Sequence, residues 1–93
     1  MPCMYALVRT SIFKRDIKLC AARGYDLSEL DMVVKSLLAG KQLDERYQDH
    51  PLKGSRKGQR DCHISTDWVL VYAFDEENKL LKLLRTGTHA DLF

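Results

Sequence analysis

WVLVYAF, at residues 68–74, is apolar at every position. Successive side chains of a strand point to opposite faces, so a strand made of this run needs cover on both faces. The run therefore predicts a central β-strand. An acidic turn follows at residues 75–78, and residues 80–84 predict a last strand that pairs antiparallel with the central one.

A further strand is predicted just before the central run, because residues 60–65 alternate in character. We expect Cys62 and Ile64 to be buried. The opposite face would then carry Asp61, His63 and Ser65. A tight reversal at Thr66-Asp67 would place Asp67 at the same end of the sheet.

The N-terminal half predicts a short strand at residues 4–8 and two amphipathic helices joined by a very short link. Ser11 and Asp26 are expected as N-caps, and Gly24 and Gly40 as helix stops. Residues 41–58 have no clear period and predict an irregular loop with a short strand near residue 52. The predicted fold class is α+β: an N-terminal strand, an αα-hairpin, then three to four antiparallel strands, with the first strand in the same antiparallel sheet and the helices packed on one face.

Length and composition predict one domain, residues 1–93, with 45% hydrophobic residues and a net charge of +2. Three cysteines without zinc-site spacing favour a reducing, cytoplasmic location. Cys20 and Cys62 are expected in the core. No N-terminal run is long and apolar enough to predict a signal peptide or a membrane span.

The three histidines, His50, His63 and His89, all lie at predicted loop or strand ends. Imidazole, with an unperturbed pKa of about 6.5, exchanges protons near neutrality. Cleavage of RNA by its own 2′-hydroxyl needs a base, an acid and cations that hold the charge on phosphorus. A basic segment beside the histidines offers the cations Lys53, Arg56, Lys57 and Arg60. Taken singly, each histidine is more often a structural or solvated residue, and by composition alone the basic segment is more often a solvated loop.

Two aromatic residues, Trp68 and Phe93, are candidates for stacking on an unpaired base, and core packing is the alternative for Trp68. Zinc ligation by the histidines, Asp67 and Cys62 is a competing chemistry. No two histidines have the i, i+4 spacing of a metal site, so we expect neither a metal nor another cofactor.

Three blocks of sequence resemble a known toxin family: DHPLKG at residues 49–54, RDCHISTDW at 60–68 and RTGTH, followed by LF, at 85–93. Together they cover the C-terminal half, and the predicted order of elements extends the likeness to nearly the whole chain. The chain resembles the YafQ branch of the RelE/ParE toxin superfamily, which implies a RelE-like fold.

The resemblance implies a bacterial type II toxin that cleaves mRNA on the ribosome, uses no metal and is inhibited by a cognate antitoxin. The implied active-site set carries His89 and Asp67 as the main proton-transfer pair, and His50 and His63 as groups that position or polarise the phosphate. It is completed by Trp68, Phe93 and the phosphate-binding Arg85. Lys53, Arg56, Lys57 and Arg60 would contact the RNA backbone.

Arg56 and Gln59 depart from the branch, which often has an aromatic residue at one of these positions, so contacts with substrate or ribosome are in question there. A ParE-like toxin that binds DNA gyrase without catalysis is the alternative function, and a domain that only binds RNA or an antitoxin is a third. Several proton carriers on one surface favour the nuclease.

Overall fold

The structure is a computed structural model that describes residues 4–93, so Cys3 lies outside the described residues. It is an α+β fold, as predicted, and two 3₁₀ turns, Glu45–Tyr47 and Gly54–Arg56, lie in the loop before the third strand. In chain order the elements are β1 (Ala6–Arg9), α1 (Ser11–Ala22), α2 (Leu27–Leu38), β2 (His50–Pro51), β3 (Arg60–Ser65), β4 (Trp68–Asp75), β5 (Leu80–Gly87) and α3 (His89–Leu92).

The sheet has five strands in the order β1-β5-β4-β3-β2, which confirms β4 as its centre. Leu70 and Tyr72 are buried on the face that α1 and α2 cover, while Val69 and Val71 are buried on the other face. This second face is covered near β4 by Leu92 of α3. The run at residues 68–74 is apolar throughout because both of its faces are packed.

The sheet is mixed, because β1 runs parallel to β5 with Ala6 opposite Leu80. The expectation of antiparallel strands holds for the pairs from β2 to β5 and is wrong for β1. Side chains alternate in the same way in parallel and antiparallel pairs, so the pattern of one strand carries no information about its partner's direction.

Helix α1 is capped by Thr10 and not by Ser11, since the Thr10 hydroxyl accepts a hydrogen bond from Phe13 N at 3.0 Å. The other boundaries follow the prediction: Gly24 ends α1 at a φ of +83°, and Asp26 caps α2. Each of these helices has 12 residues. No helix within residues 4–93 is long and apolar enough to cross a membrane.

An irregularity in β3 decides which side chains share the second face. The register of β3 on β4 shifts between His63 and Ser65, so Ser65 pairs with Trp68, a residue of the helix-facing core. Asp61 and His63 stay on the second face, opposite Val71 and Val69. The prediction that Ser65 would join them is wrong, because the extra residue in the bulge reverses the alternation.

Replacement of Leu70 by alanine is expected to lower the free energy of unfolding by about 2–5 kcal/mol, because it leaves a cavity in a fully buried site. Urea unfolding monitored by circular dichroism measures the change. Met32→Ala is the matched control, since Met32 is 62% exposed and its loss leaves no cavity. Equal effects of the two substitutions would contradict this account of the core.

Candidate active site

A short helix carries two of the predicted site residues over the second face of the sheet. Helix α3 begins with His89, and Phe93 follows its last residue. Leu92 anchors it by packing with Val69 and Val71. A four-residue helix is not stable alone, so the position of His89 depends on what holds this turn.

The Asp91 carboxylate is the main anchor of α3. It accepts a hydrogen bond from Thr88 N at 2.9 Å, and the Thr88 hydroxyl accepts one from Asp91 N at 3.1 Å, which is a complete capping box. Arg23, at the end of α1, donates two hydrogen bonds to the same carboxylate at 2.6 and 3.2 Å. This guanidinium, together with the hydrogen bond from the Thr88 backbone, holds the pKa of Asp91 well below its usual range. Asp91 is therefore a carboxylate at any pH near neutrality, and it ties α3 to α1.

Gly87 leaves room for this carboxylate. A Cβ atom on Gly87 would lie 2.8 Å from Asp91 Oδ2, closer than real contacts allow, and its φ of +156° is one that side chains rarely adopt. A larger residue here would displace the carboxylate or the strand end that precedes α3.

His89 is oriented by Asp67 from the turn between β3 and β4. Its Nδ1 lies 3.1 Å from Asp67 Oδ1, and its backbone N donates to the same oxygen at 3.3 Å. Hydrogen bonds from the His89 side chain and backbone lower the pKa of Asp67, which makes it a carboxylate near neutrality. A carboxylate only accepts, so Nδ1 carries the proton and Nε2 is left for a substrate.

His63 supplies the second proton carrier. Its ring centroid lies 5.1 Å from that of His89, in an edge-to-face arrangement. The two imidazoles come from β3 and α3, residues 26 positions apart in the chain, and the Asp67 turn lies between them in sequence. Together they offer an acid and a base within reach of one small substrate group.

Phe93 and Arg56 form a stacked pair beside His89. Phe93 is 55% exposed, its ring centroid is 6.0 Å from that of His89, and Arg56 Cζ lies 4.8 Å from the Phe93 ring centroid. Arg56 Nη2 also donates to Leu92 O at 2.9 Å. A cation and an exposed ring side by side suit a phosphate and an unpaired base.

His50 lies on β2, opposite Asp61. Its Nε2 is 3.0 Å from Asp61 Oδ1, and its Nδ1 is 2.7 Å from the carbonyl oxygen of Gln48. Paired residues of neighbouring strands share a face, so His50 belongs to the same surface as His63. The structure thus brings all three histidines to one face of the sheet.

A model of the YafQ family, described as the bacterial toxin of a type II toxin–antitoxin system, matches residues 5–93 of the chain. The mRNA interferase toxin YafQ of Escherichia coli K12 is 43% identical over 82 residues, which are 87% of each chain. The chain belongs to the YafQ family.

Two solved structures extend the likeness of this YafQ-family chain to three dimensions. The toxin in the E. coli DinJ–YafQ toxin–antitoxin complex is 38% identical, with a TM-score of 0.88, and the match covers 97% of this chain and 98% of the other. A metal-bound toxin from Helicobacter pylori, also 38% identical, matches with a TM-score of 0.91 over 97% and 100% of the two chains. The RelE-like fold class predicted from the sequence is confirmed.

Trp68 does not belong to the exposed site of this YafQ-family chain. The residue is 3% exposed, and its ring packs against Tyr25 and donates from Nε1 to the Thr86 hydroxyl at 2.8 Å. The prediction that it stacks on RNA is wrong for this conformation, and core packing, the alternative, is what the structure shows. Trp68 points to the helix-facing side, where its indole N–H finds a buried partner.

Two of the predicted RNA-binding arginines are held by acidic residues elsewhere. Arg85 binds Asp16 of α1 through Nε and Nη2, at 2.8 and 3.2 Å. Arg60 Nε lies 3.2 Å from Asp49 Oδ1, which also accepts from the Tyr72 hydroxyl. Both guanidinium groups thus stabilise the fold. Lys53 and Lys57 are exposed, and neither forms an ion pair with another residue of the described chain.

Sequence reasoning missed Arg23, Gly87 and Asp91, which act on the site through α3. The Thr88-x-x-Asp91 spacing is a capping-box signal and could have identified Asp91. Arg23 carries no such signal, because it is 68 residues from its partner.

Replacement of Arg23 by glutamine is expected to loosen α3, because Asp91 then keeps only its local capping bonds. The amides of Asp91 and Phe93 should exchange with deuterium faster, which mass spectrometry or NMR measures. Lys35→Gln is the matched control, since it removes an exposed ion pair with Asp31 on α2, away from α3. Unchanged protection in Arg23→Gln would show that the ion pair does not position the helix.

Proposed function

We propose that this protein is the toxin of a type II toxin–antitoxin system and cleaves mRNA on the ribosome by metal-independent acid–base catalysis. The observation that carries the proposal is the Asp67–His89–His63 arrangement on an exposed face, with Phe93 and Arg56 beside it. The E. coli relative is named an mRNA interferase toxin, which supports the same activity here.

The reaction uses the neighbouring 2′-hydroxyl of the RNA as nucleophile. One imidazole takes the hydroxyl proton, the 2′-oxygen bonds to phosphorus, and the bond from phosphorus to the 5′-oxygen breaks. A second, protonated imidazole gives its proton to the departing 5′-oxygen, which leaves a 2′,3′-cyclic phosphate and a 5′-hydroxyl. We assign these two roles to His89, through Nε2, and His63, in place of the His89–Asp67 pair that the resemblance implies, because Asp67 Oδ1 is held by the backbone N and Nδ1 of His89. Asp67 keeps the His89 ring in the required tautomer and orientation.

Charge and stacking place the substrate. Arg56 lies beside Phe93 and is the cation best placed for the phosphate at the cleavage site, because within residues 4–93 its guanidinium donates only to a backbone carbonyl. Phe93 offers its exposed face to a base that has left the stack of the message. Lys53 and Lys57 are exposed on the same loop and would contact RNA backbone of the message or the ribosome.

The proposed partners are a cognate antitoxin, the ribosome and mRNA. The antitoxin is supported by the DinJ–YafQ complex of the E. coli relative, which matches nearly this whole chain. The H. pylori relative is a metal-bound toxin, so the metal independence proposed here needs a direct test. Toxin treated with EDTA, then freed of chelator before ribosomes are added, is expected to retain full cleavage.

Replacement of His89 by alanine is expected to reduce mRNA cleavage by roughly 10²–10⁴-fold, the usual contribution of a positioned acid or base. Primer extension on a message translated in a cell extract measures the cut ends. Lys35→Ala, on the exposed face of α2, is the control and should cleave as the unaltered protein does.

The same experiment separates the alternative functions. If the unaltered protein cut no message but inhibited DNA gyrase in a supercoiling assay, it would be a ParE-like toxin and the nuclease proposal would be wrong. Full cleavage by His89→Ala would leave the nuclease in place and overturn the assignment of His89.

Replacement of Phe93 by leucine should weaken cleavage by about 1–3 kcal/mol in kcat/KM, the value of one base-stacking contact. Phe93→Trp, which keeps an aromatic face, should restore most of the loss. Competition kinetics with a defined message in the translating extract measure both. Equal activity of the leucine and tryptophan variants would argue against stacking.

A further inference from the structure

A cleft of about 540 Å³ lies at the edge of the sheet, between helix α2 and the loop that leads into β2. The end of β3 forms its third wall, and His63 is one of the residues that line it. Strand β2 pairs only with Arg60 and Asp61, so residues 62–65 have no partner strand on this side in the described chain. An open strand edge offers unpaired main-chain N–H and C=O groups to a ligand. The cleft therefore adjoins one of the two proposed proton carriers.

An arginine and an aromatic ring lie side by side in the lining of this cleft. Arg46 Cζ is 4.7 Å from the Tyr47 ring centroid, and Arg46 Nη2 donates to the Tyr47 hydroxyl at 2.6 Å. Arg46 is exposed and forms no ion pair with another residue between 4 and 93. The pair repeats the arrangement of Arg56 on Phe93, where the distance is 4.8 Å. Both the ring and the guanidinium plane of such a pair can stack on an unpaired base.

The two arginine–aromatic pairs flank the reacting histidines. The Phe93 ring centroid is 6.0 Å from that of His89, and the His89 centroid is 5.1 Å from that of His63. His63 in turn lines the cleft that contains the second pair. A phosphate held between two imidazoles has one nucleoside on each side. One base can then reach Phe93, and the other can reach the cleft.

The polar groups of the cleft suit the edge of a base better than a second phosphate. The Glu29 carboxylate repels a phosphate, but it accepts hydrogen bonds from the amino or imino groups of a base. Gln48 and the hydroxyls of Ser65 and Thr66 both donate and accept. Met32, which is 62% exposed, adds an apolar surface for a flat ring.

We propose that this cleft binds the base of the mRNA nucleotide on the His63 side of the cleaved bond. Arg46 and Tyr47 form the stacking surface, and Glu29 and Gln48 select the base. The inference rests on the proposed ribonuclease function and deepens it, because the toxin would then contact the two nucleotides on either side of the cut, one at Phe93 and one in the cleft.

Replacement of Tyr47 by leucine tests the stacking surface. It should lower kcat/KM for a defined message on ribosomes by about 5- to 150-fold, the loss of one base–aromatic stack, while Tyr47→Phe should keep most of the activity. Tyr5→Leu is the matched control and should cleave normally. Tyr5 is likewise half-buried, with Lys79 Nζ 5.8 Å from its ring centroid, but it precedes β1 at the opposite edge of the sheet.

Circular dichroism of both leucine variants sets a temperature at which each is folded, and cleavage is compared there. Arg46→Gln, a change at an exposed side chain, provides a second variant that leaves the core intact and should also lose activity. Normal cleavage by both Tyr47→Leu and Arg46→Gln, or an equal loss in Tyr5→Leu, would overturn the proposal.

The choice of base is measured on messages with randomised codons, by sequencing the cut ends. Gln48 has a φ of +49°, which glycine adopts readily, so Gln48→Gly removes only the side chain. Glu29→Gln keeps a residue that suits the first turn of α2. In each variant the ratio of favoured to disfavoured base should fall by roughly 5-fold or more at one nucleotide beside the cut, and should stay unchanged at the nucleotide on the other side. An unaltered preference in both variants would contradict the role in selection.

NMR of the full toxin with a single-stranded trinucleotide separates this inference from the nuclease function. The trinucleotide lacks the central 2′-hydroxyl, so it has no nucleophile and stays intact. We expect saturable shifts of the Tyr47 ring and of the Ser65 and Thr66 amides, and these shifts should disappear in Tyr47→Leu. If the unaltered toxin cut no message, the nuclease function would fail while the occupancy of the cleft would still be read.

Two outcomes of the NMR experiment would overturn the inference alone. Cleavage of the message together with shifts confined to Phe93 and the loop at residues 53–57 would show that the cleft holds no base. Shifts of the cleft signals with the antitoxin, but not with the trinucleotide, would assign the cleft to the antitoxin.

Discussion

Helix α3 has a single turn, too short to form on its own in water. It is held by one carboxylate, Asp91, which closes the capping box with Thr88 and binds Arg23 of α1. Burial of Leu92 adds an apolar anchor on the sheet. This turn positions His89 and Phe93. The geometry of the candidate site therefore depends on the contacts of Asp91, which lies outside the proposed catalytic residues.

The three histidines lie on one surface but in different surroundings. His89 has one nitrogen held by the exposed Asp67 and one left free, whereas His50 has both nitrogens facing acceptors. His63 lies between them, and no hydrogen bond from another side chain of residues 4–93 fixes its ring. Identical side chains can therefore take different roles, because the acceptors around each ring decide which of its nitrogens is left open to a substrate.

The arginines divide in the same way between structure and binding. Arg23, Arg60 and Arg85 each bind a carboxylate from another part of the chain. Arg56 instead lies against Phe93 and, among the described residues, donates only to the backbone oxygen of Leu92. The net charge of the protein is only +2, but the loop next to the histidines carries a local group of cations, Lys53, Arg56 and Lys57.

The sequence by itself determined the elements and much of the site. An apolar run at residues 68–74 requires cover on both faces, glycine stops set the ends of α1 and α2, Asp26 caps α2, and the proton-transfer chemistry of imidazole made the histidines candidates. These signals are local, and local signals are readable from residue type and spacing.

The tertiary structure alone decided that β1 pairs parallel with β5, that Trp68 packs inward, and that Arg85 is bound by Asp16. It also decided that Asp61 is buried, with its Oδ1 3.0 Å from His50 Nε2. Each of these depends on which distant segments meet, and a contact between residues far apart in the chain leaves no pattern in either segment alone.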